Sequence, residues 1–113
     1  MIYLSDSALL HAINICRAKP KYKVLVATNR RNDWSNIKKF LLHYIRDSDM
    51  YRISNTNSEC FVQFKNGSFI RCIGSHDSFR GYRAHLLIVA PEIDNESINN
   101  VLRHMEIAKE IEA

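Results

Sequence analysis

The residues of this chain best suited to bind a ligand are arginines placed around two apolar runs. They are Arg30, Arg31, Arg80 and Arg83, with Tyr82 between the last two. Guanidinium groups form bidentate hydrogen bonds to phosphates and carboxylates, and an aromatic ring can stack on a base. We therefore expect these five residues to grip a phosphate-bearing or acidic partner. In the simpler alternative, Gly81 only permits a turn and the neighbouring arginines are solvated.

The charge balance of the chain fits such a partner. Sixteen Lys and Arg residues against twelve Asp and Glu residues give a formal charge of +4 over 113 residues, which suits nucleic acid or another acidic surface. The basic residues are nevertheless spread along the chain, and the last eight residues contain three glutamates. A mixed, solvated surface is thus the alternative to a dedicated phosphate track.

Other kinds of site find little support in the residue pattern. The five histidines show no HExxH spacing, and the three cysteines form no CxxC pair, so we expect no metal. Cys16, Cys60 and Cys72 are expected to be buried free thiols. Ser75 to Ser78 contains the letters of a hydrolase triad, but adjacent residues rarely reach the geometry of a nucleophile and its base. We expect neither a cofactor nor catalysis.

In three stretches apolar residues recur every three to four positions, which predicts three helices that support the arginine loops. The first begins at Ser5 or Asp6 and runs to about Ala18, with Leu9, Leu10, Ile13 and Cys16 inward; the second begins at Asn32 or Asp33 and runs to Arg46, with Trp34, Ile37, Leu41, Tyr44 and Ile45 inward; the third begins at Asp94 or Asn95, with Ile98, Val101, Leu102 and Met105 inward. The aromatic set of Trp34, Phe40 and Tyr44 is expected to belong to the core.

Strands are expected between these helices. Residues 22–27 and 85–89 are apolar runs typical of strands buried on both faces, which indicates a parallel sheet. Residues 59–64 and 68–73 flank Lys65-Asn66-Gly67, and Asn-Gly between two β-prone runs predicts a hairpin. The fold class is therefore α/β: a single domain over residues 1–113, with a small mixed sheet, a β-hairpin and about three flanking helices.

The hairpin and the stretch after it resemble part of a known ATPase domain. Asn66-Gly67-Ser68-Phe69-Ile70 and Arg80-Gly81-Tyr82-Arg83-Ala84, followed by the apolar run to Val89, are similar in layout to the ATPase domain of phage terminase large subunits. Residues 23–30 resemble the strand and turn that follow the first helix after that family's phosphate loop. The resemblance covers about residues 5–104. It implies a fragment of a P-loop NTPase-like core, encoded by a phage or another mobile element.

The sequence departs from that family where the chemistry takes place. No GxxxxGK[ST] sequence occurs, so the backbone cradle and the lysine that hold a magnesium triphosphate are missing. Ala90 and Pro91 stand where the family places adjacent acidic residues, and Glu92 comes one or two steps late. ATP hydrolysis by this chain alone is therefore not expected. We also expect no strand before the first helix, which would leave a sheet edge open for a homodimer.

Three functions follow as hypotheses. The first is a non-catalytic protein of the host-cell cytoplasm that engages nucleic acid, or a nucleic-acid-processing protein, through one basic edge shared by the two arginine loops, because ligands collect at the carboxyl ends of parallel strands. The second is a protein-directed inhibitor of host defence, such as an anti-CRISPR protein. The third is one subunit of a split terminase ATPase. No apolar run approaches the ~20 residues of a membrane span, so no membrane partner is expected.

Overall fold

The computed structural model describes residues 2–28, 32–54, 60–74, 83–91 and 106–107. In chain order their elements are β1 (Ile2–Tyr3), α1 (Asp6–Ala18), β2 (Lys23–Thr28), α2 (Asn32–Tyr44), β3 (Met50–Ile53), β4 (Phe61–Phe64), β5 (Phe69–Gly74), β6 (Arg83–Ala84), β7 (Leu86–Val89) and β8 (Glu106–Ile107). The expected α/β class with a mixed sheet is confirmed. The described residues contain two helices rather than about three, because the third was expected within residues 94–105, outside the described ranges.

Six of the strands form one sheet in the order β1-β7-β2-β5-β4-β3. The first four strands in this order are mutually parallel, and β4 and β3 add an antiparallel extension. Strand β2 lies between β7 and β5, with Val24 level with Leu86 on one side and Ile70 on the other. Its uninterrupted Val-Leu-Val-Ala run is buried on both faces, as expected for a central parallel strand. Strands β6 and β8 form a separate parallel pair.

Helix α1 follows the sequence pattern closely. The Ser5 hydroxyl caps it by accepting a hydrogen bond from the Ala8 N–H at 3.1 Å, and Asp6 in the first turn favours the positive end of the helix dipole. The helix ends before Lys19, whose N–H still bonds to the Ile15 carbonyl at 2.9 Å. These bounds confirm the expected ones. The buried face consists of Ala8, Leu9, Ala12, Ile13 and Cys16, whereas Leu10, which was expected to face inward, is only half-buried.

Helix α2 ends two residues earlier than expected, and its buried face differs at one position. Trp34, Ile37, Leu41 and Ile45 are buried, but Tyr44 is 45% exposed, so its expected place in the core is wrong. Tyr44 stands at the last turn of the helix, where its ring lies 4.8 Å from that of Phe40 instead of on the sheet. Phe40 is half-buried. Neither 13-residue helix in the described ranges is long and apolar enough to cross a membrane.

The two helices pack on the same face of the sheet. Their apolar side chains form one core cluster with the alternate residues Val24 and Val26 of β2, Ile70 of β5 and Ile88 of β7. The intervening residues of the same strands point to the other face. Together with Ala84 and Ala90 they form a second core cluster, which consists of Leu25, Ala27, Ile73, Ala84, Leu87, Val89 and Ala90.

Strand β1 corrects the expectation that no strand precedes the first helix. Ile2 and Tyr3 pair in parallel with Ile88 and Val89 of β7, and the Leu4 N–H bonds to the Val89 carbonyl at 2.8 Å. Two residues are too few to show a period in the sequence, and the strand exists only because a neighbour supplies the pairing. Strand β3 was missed for a similar reason, since its register is interrupted between Met50 and Arg52.

The β-hairpin is confirmed. Strands β4 and β5 pair in antiparallel register, with Val62 opposite Ile70, and the turn contains Gly67 at φ +89°. This positive φ is strained for residues other than glycine. The Gly67 N–H bonds to the Phe64 carbonyl at 3.0 Å, and the Phe64 N–H bonds to the Ser68 carbonyl at 2.8 Å.

Candidate functional site

Most of the predicted site residues lie outside the described ranges. Arg30 and Arg31 follow the end of β2, and Arg80 and Tyr82 fall between β5 and β6, so none of these four side chains is described. The described strand ends to which the two segments attach are neighbours, because Thr28 of β2 is level with Gly74 of β5. That these four side chains bind a partner stays a prediction.

Arg83 is the one predicted residue whose backbone is described. It begins β6 and stands two residues before His85, whose N–H bonds to the Lys23 carbonyl at 2.8 Å. Lys23 is the first residue of β2, and Thr28, after which Arg30 and Arg31 follow, is the last. Arg83 therefore lies near the amino-terminal edge of the parallel strands, and the structure does not bring it together with the end of β2.

The connection between β1 and α1 is too short for a phosphate-binding loop. Only Leu4 and Ser5 connect β1 to α1, whereas the GxxxxGK[ST] loop places eight residues around the phosphates. The strand end beside this junction carries Ala90, which is buried and donates its N–H to the Ala27 carbonyl at 2.9 Å. The described segment 86–91 contains no carboxylate to hold magnesium. A phosphate loop cannot fit between these two elements.

A group of lysines gathers at the opposite, amino-terminal edge of the sheet. We call it the basic rim: Lys19, Lys21, Lys23 and Lys65. The first three come from the connection between α1 and β2 and from the start of β2, and the fourth comes from the hairpin turn. Lys19, Lys21 and Lys65 are exposed, and Lys23 is half-buried.

Asn66 and Ser68 of the hairpin hold the two segments of the rim together. The Asn66 side-chain amide donates to the Cys16 carbonyl at 2.6 Å, and the Asn66 carbonyl accepts from the Lys21 N–H at 3.2 Å. The buried Ser68 hydroxyl donates to the Lys19 carbonyl at 2.6 Å and accepts from the Tyr22 N–H at 2.9 Å. The Asn-Gly-Ser motif of the sequence thus fixes the end of α1 and the lysine-bearing connection.

A stack of rings supports the same edge. The rings of Tyr22 and His85 lie 4.8 Å apart at an interplanar angle of 23°, and the Lys19 ammonium lies 5.7 Å from the Tyr22 ring centre. His85 Nδ1 accepts a hydrogen bond from the Lys23 N–H at 3.0 Å. Together with the bond from the His85 N–H, this ties the start of β2 to the start of β7.

Asp49 lies close to the rim and is paired with an arginine. The Asp49 carbonyl accepts from the Lys65 N–H at 2.9 Å. The Asp49 carboxylate is 3.1 Å from Arg17 Nε, and Arg17 also donates to the Tyr44 carbonyl at 3.0 Å. The Asp49 carboxylate is therefore paired with Arg17.

Beside the rim, the sheet face opposite the two helices presents aromatic and basic side chains. Lys23, Phe69, Gln63 and Arg52 are register partners on four successive strands, and Leu25, Arg71 and Phe61 form the next row. Partners in register point to the same side of a sheet. We call Phe61, Phe69 and Arg71 the aromatic face; all three are half-buried.

The geometry of the aromatic face is that of a cation held on two rings. The ring centres of Phe61 and Phe69 lie 5.6 Å apart, and the Arg71 guanidinium carbon lies 4.7 Å from the first ring centre and 5.9 Å from the second. A guanidinium on a ring gains a cation–π interaction and keeps N–H donors in its plane for a phosphate or a base.

The cysteines are confirmed as buried free thiols. Burial raises the pKa of Cys16 to about 12. A side-chain hydrogen bond between Cys60 and Cys72 lowers the pKa of Cys60 and raises that of Cys72, and burial adds to the second effect. Within the described ranges no three His, Cys, Asp or Glu side chains could hold a metal ion together.

Sequence reasoning missed the rim and the aromatic face, although part of the signal was present. Once the hairpin is predicted, alternation along its strands places Phe61, Gln63, Phe69 and Arg71 on one face. The pairing of Lys23 with Phe69 comes from a parallel register between distant segments, which no local pattern indicates. No family model matches this chain, and no curated protein or solved structure is significantly similar to it.

Proposed function

We propose that this chain is a non-catalytic nucleic-acid-binding protein whose contact surface is the basic rim together with the sheet face beside it. The observation that carries the proposal is the convergence of four lysines, from two separate segments, on one edge of the sheet. Ammonium groups act as point charges on phosphates, and neutralising several phosphates at once releases counterions and drives binding.

The construction of the rim supports a binding role. Exposed lysines alone are common, but Lys19 and Lys21 are carried on a connection that the hairpin fixes through Asn66 and Ser68. Fixing the backbone lowers the conformational entropy lost when the lysines engage a partner. The backbone of Arg83 lies near the same edge, which keeps one of the predicted arginines beside this surface.

The non-catalytic part of the proposal is supported by the junction of β1 and α1. Its two residues, Leu4 and Ser5, leave no room for the glycine-rich loop that cradles a triphosphate. Phosphoryl transfer depends on the electrostatic stabilisation that such a cradle supplies, so a junction too short to hold the cradle favours a binding role.

Fluorescence anisotropy with labelled single-stranded and duplex DNA tests this function. We expect salt-sensitive binding, weakening steeply between roughly 50 and 200 mM salt. Replacing two exposed rim residues in the variant Lys21→Gln/Lys65→Gln should lower the affinity about tenfold and reduce the slope of log K against log salt for single strands by about 1.4.

The matched control is Lys39→Gln/Arg46→Gln, which removes the same charge from exposed positions in and just after α2. It should change the affinity much less. Equal losses in both variants would mean that net charge alone attracts the nucleic acid, against a rim-centred surface. No binding to either DNA at low salt would refute the proposal and leave the protein-directed inhibitor as the better hypothesis.

A further inference from the structure

We infer that the aromatic face selects unpaired bases, so that the ligand is single-stranded rather than duplex nucleic acid. This inference rests on the proposed function and names the substrate class of the same surface. The basic rim accounts for attraction to phosphates of any nucleic acid. The distinction between single strands and duplexes comes instead from the aromatic face.

The two phenylalanine rings lie side by side on one face of the sheet. Phe61 and Phe69 stand on adjacent strands with ring centres 5.6 Å apart, on the side of the sheet opposite α1 and α2. Both are half-buried, so part of each residue remains accessible for contact. Phenylalanine has no hydrogen-bonding group, and its ring can recognise a partner only through apolar contact and stacking.

Polar groups are arranged around the rings. Lys23 and Gln63 flank Phe69 in one row across the sheet, Arg52 continues that row, and Arg71 lies over both rings. At about 4.8 Å between strands the row extends about 14 Å. The sequences of β2, β3, β4 and β5 contain no Asp or Glu. The face thus combines stacking surfaces with positive charge, which complements a polyanion with exposed bases.

Single strands and duplexes differ in the accessibility of their base faces. In a duplex the faces of the bases are covered by their neighbours, and a protein reads phosphates and groove edges instead. Unpaired bases can be splayed onto aromatic side chains, and this stacking tolerates any sequence because every base has a π-face. A sheet face with two rings and three nearby cations offers a duplex nothing beyond charge.

The test compares anisotropy titrations of a labelled single strand with the corresponding duplex at the same salt concentration. Wild-type protein should bind the single strand more tightly. Phe61→Leu, which keeps an apolar side chain at the base of the site, should weaken single-strand binding about tenfold and change duplex binding little. Phe61→Tyr restores a stacking ring and should bind within about twofold of wild type.

Phe40→Leu provides the matched control, because Phe40 is also half-buried but lies on α2, on the helical side of the sheet. It should leave both affinities unchanged. Far-ultraviolet circular dichroism checks that each variant is folded at the titration temperature.

The outcomes separate the two proposals. If neither DNA binds, the proposed function fails and the inference fails with it. If the duplex binds as tightly as the single strand, or if Phe61→Leu and Phe40→Leu behave alike, the inference is overturned. The proposed function still stands in that second case, provided that Lys21→Gln/Lys65→Gln lowers the affinity.

Discussion

Replacing Ser68 by alanine should destabilise the protein far more than a surface Ser→Ala change. The Ser68 hydroxyl is fully buried and makes two hydrogen bonds, donating to the Lys19 carbonyl at 2.6 Å and accepting from the Tyr22 N–H at 2.9 Å. Alanine removes both bonds and places a methyl group between two polar backbone groups. The hairpin would then lose its hold on the connection that carries the rim.

The magnitude follows from the burial of the two partners. Removing the acceptor of the buried Tyr22 N–H lowers the free energy of unfolding by about 1–3 kcal/mol. Losing the bond to the partly accessible Lys19 carbonyl lowers it by about 1 kcal/mol more. The expected loss is therefore about 2–4 kcal/mol from a total that is typically about 5–15 kcal/mol for a domain of this kind. With a urea m-value of about 2 kcal/mol/M, the unfolding midpoint should fall by about 1–2 M.

Urea unfolding followed by tryptophan fluorescence measures this change. Trp34 is the one tryptophan of the chain and lies on the buried face of α2, so its emission should shift when the core opens. Ser48→Ala, at an exposed position, is the matched control and should stay within about 0.5 kcal/mol of wild type. A loss below about 0.5 kcal/mol for Ser68→Ala would refute the role given to this hydroxyl.

Two further predictions concern backbone strain and pH. Gly67→Ala should cost about 1–2 kcal/mol in urea unfolding, because φ is +89° and a Cβ would lie 3.2 Å from Lys21 Cγ; an unchanged midpoint would mean that the turn relaxes freely. Burial raises the pKa of Cys16 from 9.0 to about 12, so its thiol stays protonated in the folded state while it ionises in the unfolded state. Its contribution to stability is complete below pH 9 and is lost between pH 9 and 12, so wild type should lose stability faster than Cys16→Ala over that interval, by up to about 1.4 kcal/mol per pH unit. Parallel pH profiles of the two proteins would contradict this assignment.

Local sequence signals predicted α1, α2 and the hairpin well, and the third helix stays a prediction. Ser5 as a cap and the spacing of apolar residues gave α1 its limits, and Asn66-Gly67 gave the turn. These features depend on residues within one or two turns of each other, which is why a single sequence contains them. Tyr44 was misplaced because helical spacing does not show which residue of the last turn still reaches the sheet.

The neighbours across the sheet could not be predicted in the same way. Strand β1 is two residues long and is defined by pairing with β7, and the rim depends on bonds between Asn66 and Cys16, 50 residues apart. The arginines chosen from the sequence were selected for residue type, and apart from the backbone of Arg83 they fall outside the described ranges. Their role, and the resemblance to terminase ATPase domains, stay predictions.

The most direct measurement of the central claim is a titration of isotope-labelled protein with a short single-stranded oligonucleotide, followed by amide NMR shifts. If nucleic acid lies on the basic rim and the aromatic face, the shifts should concentrate at residues 19–23, 61–65 and 69–71, and those of α2 should change little. Shifts confined to α1 and α2, or no shifts at low salt, would contradict the account.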